Sequence, residues 1–181
     1  MSLTVRDATT LGGDRVSLRA IGGSVTELGP DVRAQPGDDV LDAHGDVLLP
    51  GLVNGHTHAA MTLFRGYGDD LPLMEWLEKK IWPVEAKLDA DDVYWGARLA
   101  CAEMIRTGTV GFWDMYWQPG ATARAVADAG LRAVIGAPLI DGGGAGSDEK
   151  VAKLKADIER SLEELAGAGE LSSEALAPHS I

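Results

Sequence analysis

The stretch 50-PGLVNGHTHAAM-61 places two of the chain's four histidines, His56 and His58, two positions apart and directly after a short apolar run. Residues i and i+2 of a strand point to the same side, so both imidazoles face one point in space if this stretch is a strand. Neutral imidazoles are good ligands for Zn²⁺ and Fe²⁺, and α/β folds build sites at the carboxyl ends of their strands. The alternative is a hydrogen-bonded histidine pair at a strand end, because motifs this short also match by chance.

Strands and helices alternate after the histidine pair. Asp89 is a suitable N-cap for a helix over 91–106, whose apolar residues recur at helical spacing and predict one buried stripe. Mostly apolar strands that alternate with helices are typical of a parallel α/β sheet. The predicted strands are 109–115, 131–140 and 172–180; the predicted helices are 120–130 and 147–169, the second with an apolar face of Val151, Leu154, Ile158, Leu162 and Leu165.

The first 48 residues follow a different pattern. The runs 15–23 and 24–29 alternate apolar and polar residues around the pair Gly22-Gly23, which indicates a β-hairpin. The domain boundaries expected from this change are 1–48 for a small β module and 49–181 for the βα-type units. With the strand that precedes His56, the second domain has four such strands, whereas a closed barrel needs eight.

Composition limits the kinds of partner. The net charge is −12, which argues against nucleic-acid backbones and anionic membrane surfaces as partners. No apolar stretch approaches the roughly 20 residues that span a bilayer. The one cysteine, Cys101, excludes a disulfide framework within the chain and fits the reducing cytoplasm, which is the expected location. A deaminase of the small cytidine type is excluded too, because it needs several cysteines.

Three segments carry a resemblance to a known family: 48-LLPGLVNGHTHAAMTLFRGYGDDLPLMEWLEKKIWPVEAKL-88, 108-GTVGFWDMY-116 and 177-APHS-180. The chain resembles the amidohydrolase superfamily from about residue 15 to its end. Within that superfamily it is most similar to the group of S-adenosylhomocysteine, 5′-methylthioadenosine and 5′-deoxyadenosine deaminases, with related chlorohydrolases. The resemblance implies an α/β fold: the first half of a (β/α)₈ barrel, preceded by part of a small β-sandwich.

The resemblance also implies the chemistry. One divalent metal is expected, zinc first and iron or manganese as alternatives, with His56 and His58 as its first two ligands. Glu85 matches the glutamate that binds the ribose hydroxyls, and a carboxylate can accept hydrogen bonds from both members of a diol. His179 matches a histidine that contacts the substrate. The implied partner is a small nucleoside, and the implied reaction is hydrolysis of its C–N bond with release of ammonia. Whether the parent protein forms a homo-oligomer is left open.

Other parts of the family pattern are missing. The further metal ligands and the acid/base glutamate would follow Ile181, so no catalytic residue is expected within this chain, and the chain alone is expected to be inactive. Some members carry an arginine where this chain has Ala137, which leaves the exact nucleoside open. Guanine or cytosine deamination, triazine dechlorination and a non-catalytic half-barrel that pairs with another chain are the alternatives.

Three more residues allow two interpretations each. Trp76 and Trp82 could line an adenine pocket or pack in the core. Asp114 ends a strand, where a helix cap or a hydrogen bond to a loop is expected more than a role in the site.

Overall fold

Residues 1–140, 148–167 and 169–179 are described by the computed structural model. They divide into two compact units, Met1–Pro50 and Gly51–Ile181. No helix among these residues is both long enough and apolar enough to cross a membrane.

The first unit contains one four-stranded sheet. Its strands are β1 (Ser2–Thr9), β2 (Arg15–Ile21), β3 (Ser24–Gly29) and β4 (Asp39–Asp42), in the order β3-β2-β1-β4. Strands β1, β2 and β3 pair antiparallel, and β4 pairs parallel with β1. The hairpin between β2 and β3 turns at Gly22 and Gly23, whose φ angles of 57° and 85° lie in the left-handed region that glycine tolerates.

A buried ion pair holds the first sheet at one end. Arg19 Nε and Nη2 donate to the two oxygens of Asp38 at 2.8 and 2.9 Å. Asp38 also accepts from Thr4 Oγ1 and from the backbone of Gln35. Its side chain is fully buried, so these bonds replace the water that the carboxylate loses on folding. The bond from Arg19, followed by that from Gln35, holds the pKa of Asp38 far below its usual range.

The second unit is built on a parallel sheet of four strands in sequence order. They are β5 (Leu52–Thr57), β6 (Thr109–Met115), β7 (Arg132–Ile140) and β8 (Ser172–His179). Helix α3 (Ala90–Arg106) precedes β6, helix α4 (Pro119–Ala129) links β6 to β7, and helix α5 (Asp148–Leu165) links β7 to β8. The four strands are half the number that closes a (β/α)₈ barrel, and their alternation with helices gives the α/β class that the sequence predicts.

The connection from β5 to α3 is helical but irregular. It contains a 3₁₀-helix (Ala59–Phe64), then α1 (Leu73–Trp76), a π-helical turn (Leu77–Ile81) and α2 (Trp82–Glu85). Pro83 lies two residues after the π-helical turn, and its ring nitrogen has no hydrogen to donate to the preceding helical turn. This connection supplies several side chains to the cavity described below.

Helix α3 begins where the sequence predicts. The Asp89 carboxylate accepts hydrogen bonds from the N–H groups of Asp91 and Asp92. In return the Asp89 N–H donates to the Asp92 carboxylate, which forms a capping box. The apolar stripe of α3 is buried at Val93, Ala97, Ala100 and Cys101.

Gly96 lets α3 approach the 3₁₀-helix closely. A Cβ atom at this position would lie 2.6 Å from the Ala60 carbonyl oxygen, so only glycine fits without a shift of the backbone. Thr62 Oγ1 donates to the Gly96 carbonyl at 2.7 Å across the same contact. The 3₁₀-helix that follows the histidine pair is therefore packed directly on the longest helix before β6.

The main core of the second unit lies between the helices and the sheet. It includes residues from α3, α4, α5 and the strands: Ala97, Ala100, Cys101, Phe112, Ala123, Val126, Leu131, Ile135 and Leu165. Other strand residues leave apolar surface exposed, with Val53, Trp113 and Leu176 each about half exposed or more. The apolar face of α5 is covered unevenly: Leu165 is buried, whereas Val151, near the start of the helix, is 58% exposed.

Candidate functional site

The histidine pair lies at the carboxyl end of β5. His56 belongs to the strand, and His58 follows it as the residue before the 3₁₀-helix. Their ring centroids are 5.1 Å apart, with ring planes at 80°. The two imidazoles therefore share one side of the chain, the arrangement that the i, i+2 spacing requires.

One nitrogen of His58 is held by the neighbouring strand. Nδ1 lies 2.7 Å from the Met115 carbonyl oxygen at the end of β6. A carbonyl oxygen only accepts hydrogen bonds, so Nδ1 carries a proton, and in the neutral imidazole Nε2 is then the nitrogen with a free lone pair. This is the state in which a histidine binds a metal, with its other nitrogen bonded to a backbone carbonyl.

Asp114 supports the same turn from β6. It is fully buried, and its Oδ1 accepts from Thr57 Oγ1 and from the Ala59 N–H, both at 2.7 Å. Burial raises the pKa of the Asp114 carboxyl, while the two hydrogen bonds and the nearby histidines oppose that rise. The carboxylate thus bonds to the last residue of β5 and to the first residue of the 3₁₀-helix.

A cavity of about 620 Å³ lies beside His58. Three of its polar lining groups belong to His58, Glu85 and Tyr116. The rest of the wall is almost entirely apolar: Met61, Leu73, Met74, Trp76, Leu77, Ile81, Trp82, Met115, Trp117 and Pro138. A mostly apolar cavity with a few convergent polar groups is typical of a site for a small molecule.

Glu85 faces this cavity and is bonded to Tyr116. Tyr116 Oη donates to Glu85 Oε1 at 2.7 Å, and Tyr116 is only 4% exposed. Burial raises the pKa of the Tyr116 phenol well above its ordinary value, and the Glu85 carboxylate raises it further. Tyr116 therefore stays protonated and donates to Glu85, which fixes one carboxylate oxygen and orients the other.

Trp76 and Trp82, the two tryptophans that the sequence suggests for an adenine pocket, both line the cavity. Trp76 Nε1 donates to the Tyr67 carbonyl at 2.9 Å, which fixes the plane of that indole. Trp82 is 37% exposed and so keeps an accessible ring face. Ala137 is fully buried on β7 and offers the cavity no polar group.

His179 is the last residue of β8, and its backbone pairs with Ile140. Since the four strands are parallel, His179 lies at the same edge of the sheet as His56. The side chain of His179 is outside the described residues, so its expected role stays a prediction. Within the described part of the chain, no group of three or more His, Cys, Asp or Glu side chains could hold a metal.

Tyr116 belongs to the site although no motif in the sequence marks it as a site residue. The available signal was its position: it follows the end of β6, at the same sheet edge as the histidine pair. The role of the phenol depends on Glu85, which is 31 positions earlier in the chain, and that pairing leaves no local trace in the sequence.

The chain is similar to known proteins of one family. Residues 47–180 match the model of the amidohydrolase family. The chain is 59% identical over 119 residues to a 5′-deoxyadenosine deaminase of Methanosarcina mazei. This aligned stretch covers 66% of this chain and 27% of the relative. It is 52% identical over 125 residues to 5-methylthioadenosine/S-adenosylhomocysteine deaminase 1 of Archaeoglobus fulgidus, covering 69% of this chain and 29% of the relative.

A solved structure is similar along almost the whole chain. It is an adenosine deaminase from Xanthomonas campestris with bound zinc, 32% identical, with a TM-score of 0.77. The match covers 98% of this chain and 42% of that protein. The chain therefore spans 27% to 42% of the length of these proteins.

Proposed function

This chain belongs to the amidohydrolase family, and from that premise we propose that the full-length protein is a metal-dependent deaminase of adenosine-type nucleosides. By full-length protein we mean this chain together with the sequence that completes the barrel. The proposed reaction replaces the 6-amino group of adenine by oxygen from water and releases ammonia. The proposed substrates are 5′-deoxyadenosine, 5′-methylthioadenosine and S-adenosylhomocysteine.

The single observation that carries the proposal is the arrangement around the 620 Å³ cavity. His58 lies at one part of its wall with a free Nε2, and His56 stands beside it. Glu85 and Tyr116 lie in the same wall, so one bound molecule could reach both groups. The relatives with 52% and 59% identity are named as deaminases of nucleosides that carry a ribose, which agrees with a carboxylate placed for a diol.

The histidine pair fits a divalent metal. Two imidazoles with centroids 5.1 Å apart can approach one ion, and the Met115 carbonyl holds His58 in the tautomer that coordinates. Zinc is the proposed ion, because the similar adenosine deaminase holds zinc. When bound, such a metal would lower the pKa of a water ligand from far above neutral to about 7, which would make water a nucleophile at neutral pH.

The remaining residues bind and orient the nucleoside. One Glu85 oxygen is fixed by Tyr116, and the carboxylate can then accept hydrogen bonds from the 2′ and 3′ hydroxyls. Trp76 and Trp82 provide flat apolar surfaces against which adenine can stack or pack. His179 is proposed as a further substrate contact from the end of β8.

Among the described residues the proposed metal ligands are His56 and His58, and a catalytic zinc usually has three protein ligands and an open position. We therefore expect the 181-residue chain alone to release no ammonia from these nucleosides. The activity belongs to the complete barrel.

A substrate panel tests the proposed function. The full-length protein, loaded with zinc, is incubated with the three proposed nucleosides and separately with guanine, cytosine and a chlorinated triazine. We expect ammonia and a shift from the adenine to the hypoxanthine absorbance spectrum with the nucleosides alone. Turnover of guanine, cytosine or the triazine without turnover of any nucleoside would assign the protein to a different member of the same family.

A further inference from the structure

We propose that Asp114 is a positioning residue for the metal site: its buried carboxylate fixes the turn that presents His58. This inference rests on the proposed metal role of the histidine pair. Asp114 is not a ligand in this proposal, and it acts through the residues on either side of His58.

The contacts are arranged symmetrically about His58. Asp114 Oδ1 accepts from Thr57 Oγ1 and from the Ala59 N–H, each at 2.7 Å. These two donors belong to the residues immediately before and after the histidine. A single oxygen atom on β6 therefore sets the distance between the two ends of a three-residue segment that carries the histidine at its centre.

The next residue on β6 completes the arrangement. The Met115 carbonyl oxygen lies 2.7 Å from His58 Nδ1 and so fixes the rotation of the ring itself. Backbone position and ring orientation are thus determined by two adjacent residues of one strand. Thr57 and Asp114 are also paired in the β5–β6 ladder, which keeps the donors and the acceptor in register.

The Thr57 hydroxyl has two acceptors within reach but only one hydrogen to give. It lies 2.7 Å from Asp114 Oδ1 and 2.9 Å from the Trp113 carbonyl oxygen. Hydrogen bonds to ionised acceptors are shorter and stronger, so the carboxylate takes the hydrogen. Removal of this hydroxyl should therefore weaken the hold of Asp114 on the turn.

Asp114 is buried, so its hydrogen bonds differ from those of a carboxylate on the surface. The residue is fully buried, and its second oxygen, Oδ2, has no hydrogen-bond donor among the described residues. A buried carboxylate with incomplete partners destabilises a fold relative to an apolar residue of similar size. Such a group is expected where it serves a site, and here its bonded oxygen faces the segment with His58.

A purely structural role predicts something different. If Asp114 only joined β5 to β6, its loss would lower the free energy of unfolding and leave the folded protein with its metal affinity intact. If it positions His58, its loss weakens metal binding by the folded protein. Loss of a residue that orients a metal ligand typically lowers metal affinity about 10- to 100-fold.

The experiment measures the zinc dissociation constant of the folded full-length protein by competition with a chromophoric chelator, below the unfolding temperature of every variant. Asp114→Ala should bind zinc about 10- to 100-fold more weakly. Asp114→Asn keeps an oxygen that can accept both bonds and should stay within a few-fold of the wild type. The visible absorption bands of bound Co²⁺ should change in Asp114→Ala and persist in Asp114→Asn.

Thr57→Val provides a milder variant, and Thr62→Val is its matched control. Both substitutions remove a half-buried hydroxyl that donates at 2.7 Å, but Thr62 donates to the Gly96 carbonyl and not to Asp114. We expect weaker zinc binding in Thr57→Val and wild-type affinity in Thr62→Val.

The results that overturn the proposal are distinct. Folded Asp114→Ala with wild-type zinc affinity would overturn it, and so would equal losses in Thr57→Val and Thr62→Val. If Asp114→Ala does not fold, wild-type affinity in Thr57→Val overturns it instead. If the unmodified protein binds zinc no better than His58→Ala, the metal site itself is refuted, and the role of Asp114 is refuted with it.

Discussion

Replacement of Glu85 by glutamine is predicted to lower kcat/KM for nucleosides that carry both ribose hydroxyls. Tyr116 Oη donates to Glu85 Oε1 at 2.7 Å, and the amide oxygen of glutamine can accept that bond in the same place. The amide nitrogen then stands where the second carboxylate oxygen was. An NH₂ group cannot accept from a hydroxyl, so the diol loses an acceptor while the wall of the cavity keeps its shape.

The magnitude follows from the kind of bond that is lost. A hydrogen bond to a charged group contributes about 1.5–3 kcal/mol, which corresponds to a loss of roughly 10- to 100-fold in kcat/KM. The loss should depend on the substrate. It should be close to the full value for adenosine and small for 2′,3′-dideoxyadenosine, which lacks the two hydroxyls.

The assay compares kcat/KM of the wild type and Glu85→Gln on these two substrates in the full-length protein. Glu78→Gln is the matched control, since Glu78 is an exposed glutamate of the π-helical turn that precedes α2 and does not line the cavity. Equal losses on adenosine and dideoxyadenosine would refute the reasoning, because they would show that Glu85 supports the fold and does not recognise the ribose.

Three further predictions concern other named contacts. Tyr116→Phe removes the bond to Glu85 and should raise KM for adenosine-type substrates about fivefold, with zinc content unchanged, as measured by steady-state kinetics and metal analysis. Asp89→Ala removes the N-cap of α3 and should lower the free energy of unfolding by about 1 kcal/mol, as measured by urea titration. Asp38→Asn should shift the urea midpoint of the first unit downwards at pH 7. Because the folded-state pKa of Asp38 is depressed, first by Arg19, this stabilisation is fully present above the unfolded pKa of about 3.9 and declines as the pH falls from there towards the folded-state pKa, so the shift should shrink under acid conditions.

Each of these predictions has a result that contradicts it. Unchanged KM in the Tyr116 variant would mean that the phenol does not orient the carboxylate. An unaltered urea midpoint in the Asp89 variant would mean that the capping box adds nothing to α3. A midpoint difference for Asp38→Asn that is as large at pH 3 as at pH 7 would show that charge is not the source of its effect.

Regular elements of the second unit could be predicted because their signals are local. Asp89 begins a helix through contacts that reach no farther than three residues, and the apolar strands are bounded by glycine and polar residues. The π-helical turn Leu77–Ile81 has no such signal in its sequence. The exposure of Val151 was not predictable either, since helical periodicity identifies an apolar face but not the part of it that another element covers.

The candidate site was predictable only in part, because only some of its features are local in sequence. The pair His56 and His58 is a local motif, and Glu85 followed from resemblance to a family. The bonds that support them join residues far apart in sequence: Tyr116 to Glu85 across 31 positions and Asp114 to Ala59 across 55. Such partners become visible only when the fold brings the end of β6 beside β5 and beside the helix that carries Glu85.

In the proposed mechanism, His56 and His58 hold the metal on which deamination depends. The most direct measurement determines zinc content and ammonia release from 5′-deoxyadenosine for three asparagine variants of the full-length protein. His44→Asn is the control, because His44 has a φ of 49° in the first unit, a conformation that asparagine also adopts readily. We expect His56→Asn and His58→Asn to lose both zinc and activity, and His44→Asn to keep both. Wild-type zinc content and ammonia release in His58→Asn would show that the histidine pair does not hold the metal.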